Sequence, residues 1–120
     1  MRTDSLKTGR FTRKDRVKRS DDIRRLFKNG QKTGLKGARL FFLENGLERN
    51  RIAFVLPRGY GNAVQRNRSK RLSREAYRKY KAHLNTGYDM LLLIYPGNDS
   101  FSTRCDTVYS LLKNAGILSQ

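Results

Sequence analysis

Gly61-Asn62-Ala63-Val64-Gln65-Arg66-Asn67-Arg68-Ser69-Lys70-Arg71-Leu72-Ser73-Arg74-Glu75-Ala76-Tyr77-Arg78 combines helical periodicity with a dense run of cations. Wound at about 100° per residue from Val64 to Leu84, it places Leu72, Ala76, Tyr77, Tyr80 and Leu84, with the small Ser69 and Ser73, on an arc from roughly 80° to 220°. Asn67, Lys70, Arg71, Arg74, Arg78 and Lys81 fill the arc from roughly 240° to 340°. The first face can bury against a sheet and the second cannot. Like charges at i,i+4, such as Lys70/Arg74 and Arg74/Arg78, each cost roughly a few tenths of a kcal/mol, and Glu75 alone is at hand to offset them. A merely solvated helix would alternate its signs. The uncompensated repulsion points instead to an external polyanion that supplies the missing negative charge.

Composition agrees. Lys+Arg 27 against Asp+Glu 10 gives a net charge of +17 on 120 residues and a pI near 10.8, the footprint of a nucleic-acid binder. A membrane surface would also attract that charge. However, the longest apolar run, Met90 to Tyr95, falls far short of the roughly 18 residues of a spanning helix. The Leu/Ala/Tyr face of the basic helix also suits a sheet better than a bilayer. The length fits one domain. A lone Cys105 excludes an intramolecular disulfide and reads as a small buried hydrophobe, and Met1 to Ser20 lacks the apolar core of a signal peptide. Both features favour a reducing, cytoplasmic setting.

Residues 1–19 carry eight basic residues and little that could enter a core, so they are expected to form a flexible basic arm ahead of a domain spanning 20–116, with 117–120 as a tail. Ser20 is the expected N-cap of a first helix, with Asp21 and Asp22 complementing its dipole, Ile23, Leu26 and Phe27 as its apolar stripe, and Asn29-Gly30 as its stop. The acidic pair invites a metal reading, but it lacks the further ligands that Mg²⁺ or Ca²⁺ requires. Gly30 to Gly37 suggests a turn and one short strand. Arg39–Leu43 and Ile52–Leu56 are β-rich runs, expected to pair as an antiparallel hairpin. Asn62 is the expected cap of the basic helix, Met90–Tyr95 a buried strand, and Ser102 the cap of a last helix facing inward with Val108, Leu111 and Leu112. The order helix, strands, helix, strand, helix predicts an α+β sandwich with helices on a four-stranded sheet.

The run from Gly61 to Ala76 resembles the signature helix of the bacterial ribonuclease P protein subunit. Leu26-Phe27-Lys28-Asn29-Gly30 resembles the end of that family's first helix, and Asp89-Met90-Leu91-Leu92-Leu93-Ile94 its last strand. The likeness spans roughly residues 10–116 in the same order and spacing. It implies an αβββαβα fold of the ribosomal S5 domain 2-like kind with a left-handed strand–helix–strand crossover, where default packing would favour a right-handed one.

By the same resemblance, the chain is the protein cofactor of a ribonucleoprotein that removes the 5′ leader from precursor tRNA. The phosphodiester chemistry and its Mg²⁺ would belong to the RNA subunit, with no catalytic or metal-binding side chain and no cofactor in the protein, and no protein oligomer is implied. Arg66, Asn67, Arg68, Lys70, Arg71, Arg74 and Arg78 would contact the catalytic RNA, while Ile23, Phe27, Phe41, Phe42 and Arg58 would line a cleft for the single-stranded leader. The residue types suit these roles, since guanidinium forks match phosphates and aromatic rings stack unpaired bases with little sequence preference. Two positions depart from the family pattern. Ile23 stands where an aromatic is frequent, and Pro57-Arg58-Gly59 replaces a Ser-Lys-Lys stretch.

A protein-based nuclease would need a metal cluster or an acid/base set. The single His83 falls on the apolar side of the basic helix, and the carboxylates are few. The competing reading is a non-enzymatic RNA-binding protein, such as a ribosomal protein or an RNA chaperone, which would share the charge and the small α+β fold.

Overall fold

The computed structural model describes residues 11–97 and 99–119. Its first α-helix, α1 (Ser20–Asn29), begins one residue earlier than expected: Arg19 occupies the N-cap without a side-chain bond, and Ser20, the expected cap, is already helical. Asp21 and Asp22 still sit in the first turn, where they complement the dipole and pair one turn on with Arg24 at 2.7 Å and Arg25 at 3.0 Å. The helix stops at Gly30, whose N–H donates to the Leu26 carbonyl at 3.0 Å. A Cβ there would lie 2.5 Å from that oxygen, so the sharp exit requires glycine.

The sheet strands are β1 (Gln31–Leu35), β2 (Ala38–Glu44), β3 (Arg51–Val55) and β4 (Tyr88–Ile94), in the spatial order β1-β2-β4-β3. The hairpin lies between β1 and β2, with Gln31 opposite Phe42 and Leu35 opposite Ala38. The hairpin expected between β2 and β3 is not made. β4 enters between them, antiparallel to β2 through Leu40↔Leu92 and parallel to β3 through Phe54↔Leu92. Its side chains explain this: Met90, Leu92 and Ile94 bury on one face, Leu91 and Leu93 on the other. A strand apolar on both sides is best accommodated in the middle of the sheet.

Asn62 caps the basic helix, α2 (Ala63–Tyr80). Its side chain accepts the Gln65 N–H at 2.9 Å, and the Gln65 side chain accepts the Asn62 N–H at 3.0 Å, a reciprocal pair that satisfies two end donors. A 3-10 turn, Lys81–His83, follows. The last helix, α3 (Phe101–Asn114), is capped by Ser100 rather than Ser102, through the Thr103 N–H at 3.2 Å.

α2 and α3 cover one face of the sheet and form the main core with Leu40, Phe42, Met90, Leu92 and Ile94; α1 covers the other over Leu26, Phe41, Ala53, Leu91 and Leu93. On α2 the fully buried positions are Ser69, Ser73, Ala76 and Tyr77, while Leu72 is only half-buried. His83 is exposed rather than turned to the core. Both ends pack further than expected. Arg16 bridges Ile52 beside β3, Val17 is buried under α1, and Asp15 is buried against Lys81 at 2.9 Å. Ile117, expected in a tail, is fully buried. The rest of the expected arm, residues 1–10, lies outside the described residues.

Candidate nucleic-acid interface

The cations of α2 divide by direction. Asn67, Arg68 and Arg71 are exposed, whereas Arg66, Lys70, Arg74 and Arg78 are half-buried. Arg66 donates to the Pro57 carbonyl at 2.9 Å, tying the first turns of the helix to the loop after β3. Arg68 reaches the Asp99 carbonyl at 3.3 Å, and Arg78 pairs with Glu75 at 3.0 Å. Among the described residues no carboxylate pairs with Lys70, Arg71 or Arg74. The ridge therefore keeps most of its charge for a partner.

Lys70 and Arg74 also form one wall of a trough of about 210 Å³ along the β3 edge of the sheet. Its floor and opposite wall come from Phe11, Val17, Ile23, Ala53 and Val55, and Arg16 stands beside them. Arg16 lies 5.6 Å from the Phe11 ring centroid, and Phe11 in turn meets Phe54 and Tyr77 at 5.6 and 6.1 Å. An apolar floor between cations suits an unpaired strand, with bases on the floor and phosphates along the walls.

Of the expected cleft residues, Ile23 lines this trough. Phe27 and Phe41 share the α1 face of the sheet and meet edge to face at 5.0 Å, Phe27 exposed and Phe41 buried. Phe42 does not join them. The register sends it through the sheet into the α2/α3 core, against Tyr88 at 6.5 Å. Arg58 lies outside the trough lining, exposed on the loop between β3 and α2. Sequence reasoning missed Phe11, Arg16, Val17, Ala53 and Val55. The period-2 pattern of β3 could have found the last two, but the docking of 11–17 depends on a backbone bond, Val17 N–H to Ile52 O at 3.1 Å, that no local signal announces.

Two buried ionic clusters hold these walls. Behind the ridge, Arg104 is 3% exposed and donates to the Ser69 carbonyl and Ser73 Oγ at 2.8 Å and to Asp99 at 2.7 Å. Tyr60 OH meets Ser69 Oγ at 2.9 Å and also bonds Asp99. The small serines of α2 thus give α3 its grip. Under α1, Arg51 makes a two-pronged contact with Asp89 at 2.8 and 2.6 Å, supported by Asn45 at 2.9 Å and lying 3.9 Å from Asp22. Burial raises the Asp89 carboxyl, but the hydrogen bonds from Arg51 and Asn45 and the charges of Arg51 and Arg25 outweigh it and hold the group below its ordinary value. Burial pushes the Cys105 thiol up, as befits a core residue. No helix among the described residues is long and apolar enough to cross a membrane.

A family model described as Ribonuclease P matches residues 11–116. The ribonuclease P protein component of Natranaerobius thermophilus is 44% identical over 77 residues, covering 64% of this chain and 67% of that protein. The one from Dictyoglomus turgidum is 30% identical over 114 residues, covering 92% and 96%. Among solved structures, the RNase P protein of Thermotoga maritima superposes with a TM-score of 0.75 at 27% identity over 82% of this chain and 96% of that one. The Staphylococcus aureus protein, at 22% identity, shares the fold with a TM-score of 0.79 over 88% and 98%.

Proposed function

The chain belongs to the ribonuclease P protein family, and from that membership we propose how its surface serves as a subunit of the ribonuclease in tRNA 5′ processing. Membership sets aside the alternative of a ribosomal protein or chaperone. On this reading the α2 ridge, through Arg66, Asn67, Arg68, Lys70, Arg71, Arg74 and Arg78, grips the RNA subunit. The single-stranded leader of precursor tRNA lies in the trough against Ile23, Val17, Ala53 and Val55, and extends toward Phe27 above Phe41. Lys70 and Arg74 face both ligands, which lets one protein hold the leader in register with the RNA that cuts it. The carrying observation is that Lys70 and Arg74, which no carboxylate among the described residues pairs, join the cationic ridge to the apolar trough.

Cleavage itself is assigned to the RNA subunit. No group of three or more His, Cys, Asp or Glu side chains is gathered among the described residues. Asp21, Asp22 and Asp89 are each engaged by arginines, which is the wrong chemistry for a cation. On this reading the RNA subunit also holds the Mg²⁺ of the holoenzyme, and the complex works in the cytoplasm. The test is reconstitution: purified protein is added to a bacterial ribonuclease P RNA at low Mg²⁺, and release of the 5′ leader is followed. Stimulated cleavage is expected, and no stimulation would refute the assisting role proposed for this surface.

A further inference from the structure

At the far end of α2, away from the trough, an aromatic recess belongs to neither surface above. Tyr80, the last residue of α2, and Tyr109 of α3 stand with ring centroids 5.6 Å apart at 52°. With His83, Lys113, Leu118 and Ser119 they enclose about 290 Å³. The recess is built rather than frayed: the chain end folds back so that Ser119 N–H donates to His83 O at 2.7 Å and Leu118 bridges Leu84. Lys79 Nζ lies 5.7 Å from the Tyr80 ring centroid and Lys113 Nζ 6.0 Å from that of Tyr109. Tyr109 is 40% exposed, so part of its ring is open to a ligand from solvent.

We propose that this recess stacks an unpaired nucleotide of the RNA subunit, a second grip beyond the basic ridge. The inference rests on the functional reading above. A flat ring bounded by lysines is the arrangement that takes a base on its face and a phosphate at its rim. Around α2, Lys79 lies within about 20° of Arg68, so an RNA strand leaving the ridge passes directly onto the recess. The leader, held in the trough between α1 and α2, lies on the other flank of the helix. Asp106, exposed one turn before Tyr109, is the opposing charge, and its field and that of Lys79 act in opposite senses on the Tyr80 hydroxyl.

The test titrates full-length protein with two probes, a labelled bacterial ribonuclease P RNA and a single-stranded oligonucleotide standing for the leader. Tyr109→Ala is expected to weaken binding to the ribonuclease P RNA by roughly 5- to 100-fold, the range of one base–aromatic stack, while leaving the oligonucleotide unchanged. Tyr109→Phe keeps the ring and should bind like the parent. Lys113→Glu, at an exposed position that the fold tolerates, should also weaken the first complex. Equal affinity of Tyr109→Ala and parent, equal loss in Tyr109→Phe, or a loss confined to the oligonucleotide would each overturn the inference. Failure of the parent itself to bind the ribonuclease P RNA would instead overturn the functional reading, and this inference with it.

Discussion

Asp89 illustrates how one side chain can make the stability of the fold depend on pH. Its carboxylate is buried on the α1 face of the sheet and takes two bonds from Arg51 and one from Asn45. Because the folded state depresses its pKa, the stabilisation is present above the ordinary carboxyl range, about pH 4. It is lost as pH falls through the folded value. Asp89→Asn should therefore cost about 2–3 kcal/mol near neutrality, since it leaves a partly buried guanidinium short of its counter-charge. The gap between variant and parent should narrow as pH falls below about 4, where the unfolded parent takes up a proton first, and close as the folded carboxyl follows. Denaturant midpoints of both proteins at neutral and acid pH measure this, and a gap independent of pH would refute it. The Asp89 partnership could not be foreseen: Asp89 and Arg51 are 38 positions apart, and nothing in either local stretch marks them as a pair.

At the level of elements, the basic helix was the most legible part of the chain, because cap, periodicity and charge all speak within a single stretch. Its start at Asn62 depends on a reciprocal bond with Gln65, so Asn62→Ala should lower stability by about 1 kcal/mol. Asn62→Asp, which keeps the acceptor, should hold it. Urea unfolding of the two variants separates these outcomes, and equal loss in both would remove the side-chain oxygen from the account. Strand pairing was less legible. β2 and β3 are neighbours in sequence and read as a hairpin, but β4, from beyond α2, is apolar on both faces and claims the position between them. Phe41 and Phe42 could not be sorted for the same reason: side-chain direction alternates, so a one-residue uncertainty in register exchanges the two faces. The candidate site followed suit. The ridge on α2 was readable residue by residue, whereas Phe11, Arg16 and Val17 reach the trough only because residues 11–17 dock beside β3, a tertiary event with no periodic signature.

For the whole molecule, the decisive quantity is a net charge of +17 on a body of 41 × 33 × 25 Å. Such a charge repels itself and is stabilised when a polyanion displaces its counterions. If about five cations of the ridge meet phosphates of a duplex-like RNA segment, log K should fall against log salt with a slope near −4 to −5. Arg68→Ala with Arg71→Ala removes two exposed contacts that lie off the buried arc of α2, so the fold should persist while the slope flattens by about 2. Arg68→Ala gives up a contact with the Asp99 carbonyl, but Arg104 keeps its own bonds to Ser69, Ser73 and Asp99, so the wall stays in place. Binding titrations across a salt series, with far-ultraviolet circular dichroism to establish folding, provide the measurement. A double variant that bound RNA as tightly as the parent, with an unchanged slope, would mean that the charge on this helix is not what holds the RNA.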